Sequence, residues 1–447
     1  MQKRVESEGK RREAKEATAS VVKLSMVFLL FICSAYLFAH ELGTLFPGIP
    51  YYGSVASYTT VGQMHVVILA AGFIFLMSGF LLAVILTDGE NEKWERWPAV
   101  INFIFSGIVM GMCLFVTVSV MGAVREAGAD ASLARSFKID PEKDIEMQTV
   151  TYSSYDGHAL KMDIYSSPTD TSAKKPVAVF IHGGGWIYGS RKNHSYYARR
   201  FAENGFVAVN VDYSLSTYKK HMAGEEKKSK DENGSVVVSV IGTTAEKELA
   251  RSLAYLSYHA EDLCIDEERI FLYGDSAGGN LALDLGFKIA SGHYRTAKIK
   301  EDGKSQRVPL PEICAISVEY PVADPVGFWE NPDKYFQGSA RRMVYSYTGG
   351  SPWKKGAVYD SITPGEFVTE DAPPTLLVVG EGDHLVPPEA TYELADTFDY
   401  LGVDNKLVKI PFANHAFDKI DGSYLSQAYF DLTLQWFEDT GTVPLSP

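Results

Sequence analysis

Long apolar runs dominate the first 125 residues, and short apolar runs alternate with mixed segments after about residue 145. Three of the long runs, at about 21–39, 61–86 and 98–122, meet the roughly 20 residues that cross a bilayer core. Charged residues are nearly absent from them, and only Lys23 interrupts the first run. This pattern predicts three transmembrane helices within residues 21–124.

Two other interpretations of these runs are disfavoured. The first run could be a cleaved signal peptide, because the basic segment 1–20 precedes it. A retained helix is favoured, since two further runs follow and no A-x-A cleavage site closes the first. All three runs could instead be buried helices of a soluble protein, but their length and uniform apolarity argue against this.

The placement of lysine and arginine predicts the orientation of the three helices. Six basic residues lie in the first 20 positions, loop 41–60 has none, and the second loop holds Lys93 and Arg96. This bias predicts an integral protein of the cell membrane with a cytoplasmic N-terminus and everything after about residue 125 outside. His65 lies near the outer end of the second helix, where a wetted interfacial histidine is the favoured interpretation.

The remainder of the chain predicts a doubly wound, mostly parallel α/β sheet over residues 147–447, after a polar linker at 125–146. Continuous apolar strands of this kind are typical of a sheet that is covered on both faces. The predicted strands are 148–153, 159–165, 177–181, 206–211, 269–273, 313–318, 375–379 and 407–410, and the predicted helices 193–204, 245–260 and 423–440. Two segments depart from the alternation. The charged insertion 216–244 is either a disordered loop or a mobile flap beside the site, and the aromatic segment 321–374 is cap-like.

Charge and cysteine content narrow the function classes. The formal net charge is −14, and acidic and basic residues cancel over residues 1–140, so the excess lies in the C-terminal part. An acidic domain without a basic face argues against a nucleic-acid partner. Four cysteines do not make a disulfide framework. A bridge between Cys264 and Cys314 remains open, because both lie beside predicted neighbouring strands, and no metal-binding pattern is evident.

One stretch carries a candidate nucleophile. Gly274-Asp-Ser276-Ala-Gly278 follows an apolar strand and precedes a run of small, helix-compatible residues. A G-x-S-x-G sequence on a strand-to-helix turn lifts the serine hydroxyl above the sheet edge. The pentapeptide alone is also compatible with an ordinary glycine-rich turn, so its meaning depends on the partners below.

Asp383 and His415 follow two later strands, in the order nucleophile, acid, base. Parallel strands end at one edge of a sheet, so the three side chains can meet there. A neutral imidazole can take the serine proton, and a carboxylate behind it holds the tautomer. A lone His or Asp in such a loop is usually solvated, but their joint placement favours a catalytic triad. His384 is the competing candidate for the base.

A triple glycine after strand 177–181 predicts an oxyanion hole. Bare backbone amides of Gly184 and Gly185, together with the amide of Ala277, can donate to the oxyanion of acyl transfer. Gly183 is assigned to the bend and is a further candidate donor. His182 is expected to brace the loop, and Asp275 to be a structural partner.

The motifs His182-Gly-Gly-Gly185 and Gly274-Asp-Ser-Ala-Gly278 together resemble the hormone-sensitive-lipase-like branch of the α/β-hydrolase carboxylesterases. Tyr155-Asp-Gly157 and Leu160-x-x-Asp163-Ile-Tyr165 also resemble related bacterial esterase and feruloyl-esterase-like sequences. The resemblance covers about residues 147–440 and implies the α/β-hydrolase fold and ester hydrolysis without metal or organic cofactor. The sequence departs from the family where Asp212-Tyr-Ser214 lacks the Arg that usually follows Asp-Tyr, and in its three apolar N-terminal runs.

These observations predict a membrane-anchored serine hydrolase that cleaves small-molecule or lipid-like carboxylic esters through an acyl-enzyme. The same triad could serve acyl transfer or peptide cleavage. In a third hypothesis, the domain is a catalytically silent, membrane-tethered binding module, which the presence of both Ser276 and His415 disfavours. The sequence does not define the oligomeric state.

Overall fold

The chain divides into two compact units, residues 1–122 and 123–447. The computed structural model describes residues 2–48, 50–88, 93–138, 144–155, 158–168, 174–216, 229–230, 236–237, 242–301, 303–333 and 337–441. The Asp156-Gly157 dipeptide between the first two predicted strands and most of the predicted insertion 216–244 lie outside these residues.

The first unit is helical. Its helices are α1 (Gln2–Leu45), α2 (Pro50–Thr60), α3 (Met64–Thr87) and α4 (Lys93–Glu126), the last of which runs past residue 122. Within these helices, the segments Arg4–Leu45, Met64–Thr87 and Arg96–Glu126 are long and apolar enough to cross a membrane. They coincide with the three predicted runs, although α1 also continues through the basic N-terminal residues.

Helix α2 lies in the stretch that the sequence assigned to an outer loop. It packs on α1 at Gly43, where an added Cβ would lie 2.7 Å from the Tyr52 ring and 2.8 Å from Ala56. Residues 50–60 of the helix carry no charge, so it can bury side chains at no electrostatic cost. That tertiary contact, which a loop interpretation does not foresee, explains the difference.

Two buried pairs of polar side chains are hydrogen-bonded inside the first unit. Asn102 donates to Ser78 Oγ at 3.1 Å, and the Cys113 thiol donates to Glu41 Oε1 at 3.3 Å. His65 is 9 % exposed, so it is buried within the unit and not wetted as expected. Large apolar side chains face outwards instead, among them Leu69, Phe73, Leu76 and Phe80.

The second unit is built on an eight-stranded sheet. Its strands are β1 (Glu146–Tyr155), β2 (His158–Ser166), β3 (Lys175–Ile181), β4 (Val207–Val211), β7 (Ile265–Asp275), β10 (Ile313–Glu319), β11 (Thr375–Gly380) and β12 (Asn405–Ile410). Two short strand pairs lie outside this sheet: β5 (Ser229–Lys230) with β6 (Val236–Val237), and β8 (Thr296–Glu301) with β9 (Lys304–Pro309). The sheet order is β1-β2-β4-β3-β7-β10-β11-β12. Strand β2 runs antiparallel to β1 and β4, and every other pair is parallel.

Helices pack on the sheet and complete the second unit. They are α5 (Ser195–Glu203), α6 (Thr244–Tyr258), α7 (Ser276–Ala290), α8 (Pro325–Glu330), α9 (Gln337–Thr348), α10 (Pro352–Asp360), α11 (Glu389–Leu401) and α12 (Tyr424–Thr440), with 3₁₀ turns at Arg135–Phe137 and Pro364–Phe367. Every residue of β3, β4 and β11 is buried, as continuous apolar strands of a covered parallel sheet require. The predicted α/β-hydrolase fold class is confirmed.

Several details go beyond the sequence predictions, and the helices α8 to α11 are among them. The β8–β9 hairpin occupies a stretch for which no element was predicted. The segment interpreted as a linker is bonded to α12, since Asp130 N–H donates to Asp431 Oδ2 at 2.7 Å and Ser132 N–H to Gln427 Oε1 at 3.1 Å. Cys264 and Cys314 are both free thiols, so the bridge left open from the sequence is not formed.

Candidate active site

Ser276 stands where β7 ends and α7 begins, with its backbone in the left-handed region at φ 53°. Such a conformation is strained for a residue with a Cβ, and it persists only where the surroundings impose it. A Cβ on Gly278 would lie 2.0 Å from the Ile181 carbonyl oxygen, and one on Gly274 2.7 Å from the same atom. The glycines on either side therefore let the turn pack against β3, which leaves Ser276 at the C-terminal edge of the sheet.

The three predicted triad residues meet at that edge. His415 Nε2 lies 3.0 Å from Ser276 Oγ, and His415 Nδ1 lies 2.7 Å from Asp383 Oδ2. Both distances are those of hydrogen bonds. With the Nδ1 proton donated to the carboxylate, Nε2 is an acceptor for the serine hydroxyl.

The carboxylate of Asp383 is held by its own loop. Its Oδ1 atom accepts the N–H groups of Leu385 and Val386, both at 2.9 Å. These two donors orient the side chain, so that Oδ2 faces the imidazole. His384 points elsewhere, with Nδ1 3.0 Å from Asp333 Oδ2, so the competing base candidate is not brought to Ser276.

The triple glycine lies beside Ser276, and only some of its backbone amides already donate a hydrogen bond. The Gly183 N–H donates to Asp275 Oδ1 at 2.6 Å, so it is already occupied. Gly184 and Gly185 have φ of 112° and 60°, and in the described part of the chain neither their amides nor that of Ala277 donate a hydrogen bond to another group. Three amides are therefore available next to the hydroxyl, and Gly183 serves the bend.

Comparison with known proteins identifies the family. The BD-FAE family model matches residues 162–227 and 241–398, which together are half of the chain. The protein belongs to the BD-FAE family. Ser276 and Asp383 fall inside the matched segments, and the esterase resemblance drawn from the motifs is confirmed at the level of the family.

The relatives of this BD-FAE protein match stretches of the chain of different length. Ethyl acetate hydrolase of Pseudomonas putida is 24% identical over 280 residues, which are 61% of this chain and 76% of that enzyme. The non-reducing polyketide synthase ausA of Emericella nidulans is 33% identical over 144 residues, which are 32% of this chain. The chain spans only 5% of that synthase.

A solved structure shares the fold. Esterase B from Lactobacillus rhamnosis superposes with a TM-score of 0.53, at 21% identity, and covers 74% of this chain and 95% of its own. The superposition supports the α/β-hydrolase architecture of this BD-FAE protein and, at that identity, nothing finer.

His182 supports the glycine loop through a hydrogen bond and a ring contact. Its Nδ1–H donates to the Gly183 carbonyl at 2.8 Å, and its ring stacks on Tyr213 with centroids 4.3 Å apart. Burial lowers the pKa of His182, so the ring stays neutral at pH 7. Burial alone would raise the pKa of Asp275, but Lys419, His194 and the Gly183 N–H together lower it. Asp275 is therefore an anion that anchors the loop.

Two residues near the site were not foreseen. The guanidinium of Arg191 lies 2.9 Å from Asp163 and 2.7 Å from Asp212, so an arginine from another loop partners the Asp-Tyr motif that lacks its usual one. The ring of Tyr320 contacts His415 with centroids 4.6 Å apart. Tyr320 lies directly after β10, and that position at a strand end is the only sequence signal for it.

The cap-like segment covers the glycine loop. A Cβ on Gly185 would lie 2.4 Å from Met343 Sδ of α9, and Trp186 stacks on Tyr347 of the same helix with centroids 4.7 Å apart. Helix α9 therefore limits the space beside the three available amides.

Proposed function

We propose that this protein is a membrane-anchored carboxylesterase in which Ser276, His415 and Asp383 act as nucleophile, base and acid. The observation that carries the proposal is the continuous chain of two hydrogen bonds from Ser276 through His415 to Asp383. The BD-FAE family and a relative named ethyl acetate hydrolase support ester hydrolysis as the reaction.

The geometry suits a two-step acyl transfer. His415 Nε2 takes the Ser276 proton as Oγ attacks the ester carbonyl, and Asp383 stabilises the imidazolium. The carbonyl oxygen becomes an oxyanion, for which Gly184, Gly185 and Ala277 offer N–H donors. The imidazolium then protonates the leaving alcohol. Water, activated by the same imidazole, releases the acid from the acyl-enzyme and restores the serine hydroxyl.

The test compares the full chain with Ser276→Ala on p-nitrophenyl acetate and butyrate. We expect the variant to lose about 10⁴-fold or more in kcat, because no other group replaces the nucleophile. Ser291→Ala, which changes a hydroxyl bonded to the Phe287 carbonyl on the far end of α7, is the matched control and should retain the rate.

A fluorophosphonate probe separates this proposal from a silent binding module. The probe should label the wild type and the Ser291→Ala variant but not the Ser276→Ala variant. Equal rates for the wild type and the Ser276→Ala variant, or an unlabelled wild type, would end the esterase proposal. Product analysis with competing alcohols or amines distinguishes hydrolysis from acyl transfer, and a peptide substrate tests the peptidase alternative.

The membrane part of the proposal rests on three helices that are long and apolar enough to cross a bilayer. The basic N-terminus and the stretch 41–60, which holds no lysine or arginine, favour an outward-facing catalytic unit. Protease added to intact right-side-out vesicles should remove the catalytic unit, whereas inside-out vesicles should protect it. The reverse result would place the unit in the cytoplasm.

A further inference from the structure

Behind the catalytic serine lies a second cluster of ionisable groups, at the same edge of the sheet. Glu319 ends β10, Asp418 follows the His415 loop, and His194 precedes α5. One ligand atom from each lies within 4.8 Å of the others. Glu319 and Asp418 are fully buried, and the His194 side chain is 5 % exposed. The triad mechanism uses none of these residues.

Glu319 is a buried carboxylate for which the described residues provide no hydrogen-bond donor. Neither of its carboxylate oxygens has a hydrogen-bond donor among the described residues, although the side chain has no exposed surface. Buried carboxylates are ordinarily paired, hydrogen-bonded or bound to a metal, because losing water without compensation is costly.

The charges of the cluster do not balance. Glu319, Asp418 and Asp275 are three carboxylates, and the facing cation is Lys419, whose Nζ lies 3.6 Å from Asp275 Oδ2. Metal ligands must be deprotonated, so with Glu319 and Asp418 ionised and His194 neutral, two negative charges would remain without the ion. A divalent cation removes this excess, whereas a proton shared between Glu319 and Asp418 removes half of it.

The surroundings hold the remaining ligand groups in place. Asp418 accepts the hydroxyl of Tyr197 at 2.8 Å and that of Tyr320 at 2.5 Å. Outer hydrogen bonds of this kind orient metal-binding carboxylates. His194 adopts φ 51°, a strained conformation, and its Nε2 has no hydrogen-bond partner.

We propose that Glu319, Asp418 and His194 bind a divalent transition-metal ion of structural role. One imidazole and two carboxylates suit zinc or manganese better than calcium, which takes six to eight oxygen ligands. The ion holds Asp418 and, through the Tyr320 hydroxyl, the ring that packs on His415. It touches neither substrate nor triad.

The test is the metal content of the full chain, purified in detergent without a histidine tag or chelator. Elemental analysis should find one zinc or manganese ion per chain in the wild type and none in Glu319→Gln. His194→Asn, which keeps a residue tolerant of positive φ, should also lose the ion. Tyr320→Phe should weaken metal affinity by about 10- to 100-fold.

Glu248→Gln is the matched control, because that buried carboxylate already accepts two hydrogen bonds from Ser214. It should retain the ion. A chelator should lower the unfolding temperature of the wild type and of Glu248→Gln but not that of Glu319→Gln, since a bound ion stabilises the native state. A metal-free wild type whose unfolding temperature a chelator leaves unchanged would overturn the proposal, and Glu319→Gln would then mimic a shared proton. Neither readout depends on esterase activity.

Discussion

The carboxylate of Asp275 accepts the backbone N–H of Gly183 at 2.6 Å and so ties the residue before the nucleophile to the loop that carries the available amides. The contact is buried, and Lys419 lies 3.6 Å from the other oxygen. Through it, two motifs more than 90 positions apart are held in one geometry.

Asp275→Ala should therefore misplace the glycine loop. We expect kcat on p-nitrophenyl acetate to fall by about 10²-fold, since displacements near 1 Å cost that much in catalysis. The unpaired Gly183 N–H should also cost about 1–3 kcal/mol of stability. Asp275→Asn keeps an oxygen acceptor and should retain more activity than Asp275→Ala. A kcat for Asp275→Ala equal to that of the wild type would contradict this role.

The two neighbouring histidine candidates form a matched pair. His415→Asn removes the group 3.0 Å from Ser276 Oγ and should lower kcat by about 10⁴-fold or more. His384→Asn removes a partner of Asp333 and should leave kcat within about threefold, because it has no contact with the serine. Steady-state kinetics of both variants decide the assignment, and a larger loss for His384→Asn would reverse it.

Helix α9 should limit the acyl chain. Met343 lies against Gly185, so shortening it frees space beside the nucleophile. Met343→Ala should raise the ratio of kcat/KM for octanoate over acetate esters by roughly 10-fold, the effect of a few added methylene contacts. Arg342→Ala, an exposed change on the same helix, should leave the ratio unchanged. An unchanged ratio in Met343→Ala would place the acyl group elsewhere.

His182 should make the protein sensitive to mild acid. Because burial lowers its pKa, the folded state binds fewer protons than the unfolded state below about pH 6.5. Stability is therefore lost as pH falls from about 6.5 towards the lower folded pKa, by at most about 1.4 kcal/mol per pH unit. Urea unfolding at pH 7.5 and 5.5 should show a smaller loss for His182→Gln than for the wild type. Identical losses in the two proteins would argue against a neutral buried imidazole.

Much of the architecture follows from local pattern. Length and apolarity were enough to predict the three long helices, and continuous apolar strands were enough to predict a parallel sheet. Helix α2 was missed because its stability comes from packing on α1. The β8–β9 hairpin was missed because its two strands are stabilised by pairing with each other, which needs no strong hydrophobic pattern in either strand. Arg191 was missed because it approaches Asp212 from a loop about 20 positions away.

By itself, the sequence determined the three long apolar helices, the order of the eight strands of the sheet, the serine turn and the residues proposed for the triad. These depend on short-range chemistry: side-chain period, the glycines that a tight turn demands and the position of polar residues at strand ends. Only the tertiary structure decided which histidine faces Ser276, which glycine amide is already used and which carboxylates crowd together behind the site. Those relationships depend on the register of distant strands and on burial, which brings together groups that no local spacing relates.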